Sequence, residues 1–371
     1  MANTNLSEAK NAKNDEFYTQ YADIQKEVNA YIEYNPDVFR GKTILLPCDD
    51  PEWSNFTKFF AQNFENYGIK KLISTSYAYD KKRIKGPYQL SFFEEMSPQF
   101  DKKKTKSHGK IFTLTRDSNN SGRIDIDDLE WKYLKSDGDF RSEEVTKLRD
   151  EADIIITNPP FSLFKEFLDW LITADKRFLI IGNKNCVTYK EVFPLIKNNK
   201  LWTGNGFSNG NAFFGIPEAE ARDYAAGVYD PATGLVKFRN VSWFTNLEHG
   251  RRHQPLQLMT MADNIRYSKH KEVREKGYPH YDNYDAIEVP YTDAIPSDYQ
   301  GIMGVPISFL EKFCPEQFEI VGATESEGKG FSNGLWNPES KVAQALINGE
   351  KVYKRIFIRF CEANNENDVK N

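Results

Sequence analysis

The sequence predicts an α/β protein whose sheet is doubly wound and mostly parallel. Short, strongly apolar runs recur through the first half of the chain, as is typical of strands buried on both faces. Helical patterns separate most of these runs, and such alternation favours a parallel sheet. The predicted strands are 42–47, 71–77, 111–115, 153–157 and 177–182, and the predicted helices are 54–66, 142–151 and 162–173.

Capping residues and breakers define the element boundaries. A short aromatic loop at 15–20 leads into a helix that ends before Pro36. Ser54 is a favourable N-cap for the next helix, and Gly68 lies just past its end. These signals predict one strand–helix–strand unit from about 42 to 77.

The chain beyond residue 200 is predicted to be organised differently. Short β-type runs occur at 212–216, 236–238 and 241–246, and a final αβ unit and strand are predicted at 306–323 and 352–359. We therefore predict three parts. They are a core at 1–200, a β-rich region at 201–300, and a C-terminal αβ unit at 301–371 that packs on the core.

Composition excludes several classes of protein. The net charge of −5 argues against a chain that is basic throughout, although it allows a local basic face. The four cysteines lack CxxC spacing, so neither a structural zinc nor a disulfide framework is expected. The N-terminus is polar and no apolar run approaches the length of a membrane span, so we expect a soluble cytoplasmic protein without bound metal.

The strongest chemical signal is the tetrapeptide Asn158-Pro159-Pro160-Phe161 at the end of a predicted buried strand. Ligands of open α/β sheets bind at this edge. The prolines form a stiff turn with free carbonyls, and the Asn158 side-chain oxygen and the Pro159 carbonyl can both accept hydrogen bonds from an amino group. Phe161 would then stack on the ring that carries the amine. The alternative is a structural Pro-Pro turn with a buried phenylalanine.

At these residues the chain resembles the amino-methyltransferases of the class I, S-adenosylmethionine-dependent superfamily, whose catalytic tetrapeptide is [DNS]-P-P-[FYW]. More narrowly, it is similar to the EcoRI-type adenine-specific DNA methyltransferases. The stretches that carry this resemblance are 14–20, 44–50, 137–143, 153–164 and 304–322. The resemblance implies a Rossmann-like fold, S-adenosylmethionine as cofactor and double-stranded DNA as partner. The target adenine would have to be flipped out of the duplex.

The resemblance also implies cofactor-binding residues. An N-terminal F-[FY]-T-[PQ] motif, which helps to hold the methionine end, corresponds to Phe17, Tyr18, Thr19 and Gln20. The loop after the first strand is Pro47-Cys48-Asp49-Asp50, and it departs from the family pattern because it has no glycine. One of its two aspartates is expected near the amino group or ribose of the cofactor.

A second acidic position is expected in the segment Gly138-Asp139-Phe140. Asp139 resembles the residue that receives the adenine amino group of the cofactor, and Phe140 adjoins it. The alternative for Asp139 is a solvated turn residue. The second strand ends in Ser74-Thr75-Ser76-Tyr77, without the acid that usually binds the ribose hydroxyls.

Two segments of the chain are locally basic. Residues 80–110 contain nine lysines and arginines against four acidic residues, and residues 249–284 contain seven against four, with four interspersed tyrosines. Arginine and tyrosine together suit phosphate contacts, base-edge contacts and stacking. Either segment can also be an ordinary solvated face. The predicted DNA contacts are Lys102, Lys103, Lys104, Arg251, Arg252, Arg266 and Lys269.

The sequence also allows two other functions. The same tetrapeptide accepts any planar amine, so the substrate is alternatively an RNA adenine or a protein glutamine. The missing glycines after the first strand allow a DNA-binding protein with a degenerate cofactor pocket. Whether a cognate restriction endonuclease acts on the same site is also open.

Overall fold

The computed structural model describes residues 17–51, 54–78, 97–207, 210–216, 227–325 and 330–361. The chain forms two compact units. The first comprises 1–184 and 203–249, and the second comprises 185–202 and 250–371. The boundaries of these units differ from the predicted ones at residues 200 and 300. The strands between residues 203 and 249 belong to the sheets of the first unit.

The large sheet has eight strands. Their bounds are β2 (Thr43–Leu46), β3 (Lys71–Ser76), β4 (Lys110–Leu114), β5 (Glu130–Tyr133), β6 (Ile154–Thr157), β7 (Arg177–Asn183), β8 (Trp202–Thr203) and β12 (Val241–Thr245). They lie in the order β5-β4-β3-β2-β6-β7-β12-β8. All five strands predicted before residue 200 are present. Strand β5 was not predicted, because its residues are half-buried or exposed and form no apolar run.

The large sheet is mixed. Its four central strands, β3-β2-β6-β7, are parallel, whereas β4, β5 and β12 run antiparallel to their neighbours. The predicted parallel arrangement is therefore confined to the centre. These antiparallel strands extend the parallel centre on both sides, since β4 and β5 lie beyond β3 and β12 lies beyond β7.

The described helices of the first unit include α1 (Tyr21–Tyr34), α2 (Asn55–Gln62), α3 (Lys102–Ser107), α4 (Glu143–Glu151) and α5 (Phe164–Ile172). Ser54 caps α2 as predicted, since its hydroxyl accepts a hydrogen bond from the Phe56 amide at 3.1 Å. The helix α3 was not predicted, because its sequence is mostly lysine and has no apolar period.

Helices cover both faces of the central strands. Leu46 of β2 and Ile181 of β7 pack in one apolar cluster with Phe59 of α2. Gly182 faces the other way, and a Cβ there would lie 2.2 Å from the Phe164 ring at the start of α5. Helix α2 lies between β2 and β3 in the sequence, and α5 lies between β6 and β7.

A second, smaller sheet in the first unit has four strands. They are β1 (Tyr18–Thr19), β9 (Ala212–Gly215), β10 (Tyr229–Asp230) and β11 (Leu235–Phe238), in the order β1-β9-β11-β10. In its register Tyr18 pairs with Gly215 and Thr19 with Phe214. The N-terminal aromatic motif is thereby held as a strand.

The second unit contains the helices α6 (Phe193–Lys197), α7 (Met261–Tyr267) and α8 (Lys271–Lys276). Its strands are β13 (Ile287–Glu288), β14 (Met303–Pro306), β15 (Phe318–Ala323), β16 (Leu346–Ile347), β17 (Glu350–Lys351) and β18 (Arg355–Phe360). The main sheet has the order β13-β14-β18-β15, and β16 and β17 form a hairpin. Residues 250–300 are thus mainly helical and irregular, unlike the predicted β-rich region. Among the described residues, no helix is long and apolar enough to cross a membrane.

Candidate active site

The two loops with the strongest sequence signals lie at one edge of the large sheet. Strand β2 ends at Leu46, and its parallel neighbour β6 ends at Thr157. From β2 the chain continues to β3 on one side, and from β6 it continues to β7 on the other. A crevice at such a reversal of strand order is where open α/β sheets bind ligands.

Asn158 is held by the N-terminal motif. Its side-chain amide donates a hydrogen bond from Nδ2 to the Phe17 carbonyl oxygen at 2.7 Å. A carbonyl only accepts, so this contact fixes which end of the amide faces Phe17. The other end, Asn158 Oδ1, is buried and has no hydrogen-bond partner among the described residues. It is an oriented acceptor available to an amino group.

Phe161 belongs to an aromatic cluster with the same motif. Its ring stacks on Phe17 at a centroid distance of 5.5 Å, and Phe214 and Phe238 each meet it edge-on at 6.3 Å. The side chain is half-buried. The ring is therefore held on one side by Phe17, a residue that the sequence had indicated only for cofactor binding.

Thr19 provides a second buried polar atom without a described partner. Its Oγ1 is unpaired, while its backbone carbonyl accepts a hydrogen bond from Asn55 Nδ2 at 2.7 Å. Asn55, at the start of α2, was not predicted as a site residue. Its only signal was its position directly after the predicted N-cap Ser54.

The loop after β2 turns at Cys48, which adopts a left-handed conformation with φ of +70° although it is not glycine. The Cys48 amide donates to Thr75 Oγ1 at 3.4 Å, and its thiol donates to the Tyr77 hydroxyl at 3.3 Å. Burial raises the pKa of Tyr77 well above its usual value. These bonds to the end of β3 hold a turn for which the expected glycines are absent.

Asp49 points inward. Its carboxyl oxygens lie 2.6 Å from the hydroxyls of Ser54 and Thr157, and only 5% of the residue is exposed. Burial raises the pKa of Asp49 to about 7. The neighbouring Asp50 is half-buried, so of the two predicted acids it is the more open to a ligand.

Asp139 is half-buried and is paired with an arginine. Arg141 binds it through two contacts, Nε to Oδ1 at 2.9 Å and Nη2 to Oδ2 at 2.7 Å. The adjacent Phe140 is fully buried and packs on Phe167 and Trp170. Phe140 therefore anchors the segment in the core, and no ring face is left for a cofactor.

Comparison with known proteins identifies the family of the chain. The profile of the family described as "Adenine-specific methyltransferase EcoRI" matches residues 5–360. The chain belongs to this family.

Individual relatives support the same membership. The type II methyltransferase M.EcoRI of Escherichia coli is 40% identical over 355 residues, which cover 95% of each protein. The type II methyltransferases M.MgeORF184P of Mycoplasma genitalium and M.MpnI of Mycoplasma pneumoniae are each 34% identical. The matches cover 95% and 85% of this chain and 98% and 84% of those proteins. No solved structure matches the chain.

The first predicted DNA-binding segment of this EcoRI-family methyltransferase lies only partly within the described residues. Residues 79–96 are outside them. Lys102, Lys103 and Lys104 are exposed and form the first turn of α3. The Asp101 carboxylate caps this helix by accepting hydrogen bonds from the Lys103 and Lys104 amides.

Arg252, in the second predicted segment, is a structural residue. It is 4% exposed, its guanidinium carbon lies 3.8 Å from the centre of the Trp202 ring, and it donates a hydrogen bond to Asn199. Tyr281 and Tyr284 are also buried in the second unit. The side chains of Arg252, Tyr281 and Tyr284 therefore face the core of the second unit, so the burial of Arg252 does not support the DNA contact predicted for it.

Helices α7 and α8 carry exposed side chains of this segment. Arg266 lies over the ring of Tyr267, 5.1 Å from its centre, and Tyr267 is 61% exposed. Lys269 is exposed and pairs with Asp293 at 2.7 Å. Arg251 is half-buried. Within the described residues, no group of three His, Cys, Asp or Glu side chains is placed to hold a metal ion.

Proposed function

We propose that this methyltransferase transfers the methyl group of S-adenosylmethionine to the exocyclic amine of a flipped-out adenine in double-stranded DNA. Membership of the adenine-specific family supports the reaction and the base. The observation that carries the proposal is the amide of Asn158, which is fixed by Phe17 and presents an unpaired, buried Oδ1 at the carboxyl edge of the sheet.

In this proposal the protein promotes the reaction by orienting the target amine. Asn158 Oδ1 accepts one N–H of the amine and the Pro159 carbonyl accepts the other, which directs the nitrogen lone pair at the methyl donor. Because the Phe17 carbonyl already holds the amide, little reorganisation is needed when the amine becomes positive during transfer. Phe161, supported from behind by Phe17, stacks on the adenine ring.

The residues present fit S-adenosylmethionine, which supplies an electrophilic methyl group when bound. Thr19 Oγ1 is buried without a described partner, as expected of an atom that contacts a ligand. We assign the methionine end to Phe17, Tyr18 and Thr19. Within the loop Pro47-Cys48-Asp49-Asp50, Asp50 is assigned to the amino group or ribose as the more accessible acid, whereas the Asp49 carboxyl oxygens contact Ser54 and Thr157. Asp139, already bound to Arg141, is assigned to the adenine amine.

We also propose that the first unit is a doubly wound, Rossmann-like methyltransferase domain. The order β3-β2-β6-β7 and the placement of α2 and α5 on opposite faces support this fold. Parallel strands joined by crossovers of one hand require this winding when the order reverses at the centre.

For DNA binding we propose two surfaces. Lys102, Lys103 and Lys104 supply phosphate contacts that are blind to sequence, and Arg251, Arg266 and Lys269 of the second unit supply target recognition. Arg252 is left out because it is buried. A cognate restriction endonuclease and a cytoplasmic location belong to the same hypothesis.

A substrate panel tests the proposed reaction. The full chain is incubated with labelled S-adenosylmethionine and unmethylated duplex DNA, RNA or a glutamine-containing protein, and products are identified by mass spectrometry. We expect N6-methyladenine in DNA alone. Labelled RNA or protein would favour those molecules as substrates. If calorimetry detects no binding of S-adenosylmethionine, a degenerate cofactor pocket would be favoured.

A further inference from the structure

Thr157, the residue before Asn158, joins the catalytic turn to the loop after β2. Its hydroxyl oxygen lies 2.6 Å from the Pro47 carbonyl oxygen and 2.6 Å from Asp49 Oδ2. Thr157 is fully buried. The contact therefore connects the ends of the neighbouring strands β2 and β6.

The two short contacts cannot both be donated by Thr157. A hydroxyl carries one hydrogen, and the Pro47 carbonyl can only accept. If Thr157 donates to Pro47, Asp49 Oδ2 must supply the hydrogen of the other contact. The other carboxyl oxygen, Oδ1, accepts from Ser54 at 2.6 Å. A neutral carboxylic acid gives every group in this series of hydrogen bonds a partner, whereas an ionised one draws the Thr157 hydrogen away from the Pro47 carbonyl.

We propose that Asp49 is a positioning residue that works as a neutral carboxylic acid. It links Ser54, Thr157 and Pro47, and it thereby holds Asn158 next to the loop that follows β2. This inference rests on the proposed function for its catalytic consequence. It also replaces the expectation that Asp49 binds the cofactor, because both of its carboxyl oxygens contact hydroxyl groups of the protein.

The surroundings of Asp49 favour the neutral form. Burial raises its pKa to about 7, the nearby charge of Asp50 adds to the shift, and the hydrogen bonds with Ser54 and Thr157 oppose it. On the β3 and α2 sides, the groups that contact Asp49 are the uncharged hydroxyls of Ser74 and Thr57, which both donate to its backbone carbonyl. The thiol of the adjoining Cys48 bonds to Tyr77.

Asparagine is the matched test, because its amide reproduces the neutral acid. In D49N the Oδ1 accepts from Ser54 and the Nδ2 donates to Thr157. We expect D49N to retain single-turnover methylation to within about threefold of wild type, whereas D49A loses at least about tenfold through misplacement of Asn158. T157S is expected to behave like D49N, and T157V like D49A. Cofactor affinity, measured by calorimetry, is expected to change less than about threefold in all four variants.

A stability measurement tests the proton without relying on activity. The folded-state pKa of Asp49 lies above its ordinary value of 3.8. Its stabilising contribution is therefore complete below that value and is lost as pH rises through about 7. We expect the Tm of wild type to fall relative to D49N between about pH 5 and pH 8.

Two results would overturn the inference. A Tm difference that is flat over this pH range would mean that Asp49 is ionised throughout. A tenfold or greater loss of cofactor affinity in D49N would mean that the carboxylate binds the cofactor directly. If wild type fails to methylate DNA, the proposed function fails, whereas the Tm comparison still decides the state of Asp49.

Discussion

The carboxyl edge of the large sheet and the segment 249–284 are both rich in polar and aromatic side chains, but they use them differently. At the sheet edge, Asn158 Oδ1 and Thr19 Oγ1 are buried without described partners, and the hydrogen bond from Asn158 to Phe17 joins their two motifs. In the segment, Arg252 stacks on Trp202 and Tyr284 donates a hydrogen bond to the Ala343 carbonyl, although Asn264 Oδ1 is also buried without a described partner. An unsatisfied, oriented atom indicates a ligand site where it also lies at the sheet edge at which ligands bind, and the first region meets both conditions.

The same comparison separates residues that share a sequence signal. Arg252 and Arg266 both belong to the basic segment, yet one is buried and the other is exposed on α7. Charge and composition alone did not distinguish them.

Asn158→Ala is expected to abolish methylation, because the acceptor that it removes contacts the target amine. Cofactor affinity is expected to fall far less, through loss of the hydrogen bond to the Phe17 carbonyl. Single-turnover kinetics and cofactor calorimetry measure the two effects separately. Retention of more than about a tenth of the wild-type rate, equivalent to about 1.4 kcal/mol or less, would remove Asn158 from its assigned role.

Arg252→Ala is expected to destabilise the protein by about 1–3 kcal/mol, since it removes a buried stacked cation and leaves Asn199 without this donor. Denaturant unfolding measures the change in stability. Arg266→Ala is the matched control, because Arg266 is exposed, and its stability is expected to change by less than about 0.5 kcal/mol. If Arg252→Ala keeps full stability but relaxes discrimination between DNA sites, the contrast between the two arginines is wrong.

Phe161→Ala is expected to weaken the flipped-base complex by about 1–3 kcal/mol, the usual cost of one base–aromatic stack. Phe161→Trp and Phe161→Tyr retain a ring and are expected to be tolerated. Titration of DNA binding and single-turnover rates compare the three. Equal behaviour of the alanine and tryptophan variants would assign Phe161 to the core with Phe17.

Replacing Lys102, Lys103 and Lys104 by glutamine is expected to weaken binding of all DNA alike. The slope of log affinity against log salt should flatten by about one unit for each DNA phosphate that the variant no longer neutralises. Lys70→Gln, just before β3, is the control and should leave the slope unchanged. A selective decrease in cognate binding would instead place sequence recognition on α3.

Much of the first unit could be predicted, because its strands are apolar runs and its helices begin at clear caps such as Ser54. The tetrapeptide at 158–161 was also located correctly at a strand end. The hydrogen bonds that orient it were not predictable. The link from Asn158 to Phe17 spans 141 residues of sequence, and that from Thr157 to Asp49 spans 108. Nothing in the local pattern signals such long-range hydrogen bonds.

The second unit shows the opposite limit. Its residues Tyr281 and Glu288 form a buried cluster with Arg355, in which Arg355 Nη2 lies 2.6 Å from Glu288 Oε1. In sequence these are ordinary surface-type residues. The three side chains contact one another in the interior, and only the tertiary structure shows which charged side chains face inward.

The claim that Asn158 receives the target amine is tested most directly by a crystal structure. The full chain would be crystallised with a non-reactive analogue of S-adenosylmethionine and a duplex that carries the site identified by sequencing of methylated DNA. We predict a flipped adenine whose amine donates to Asn158 Oδ1, with Asn158 Nδ2 still bound to the Phe17 carbonyl. An adenine amine bound elsewhere, or an Asn158 amide turned so that Nδ2 faces the base, would contradict the account.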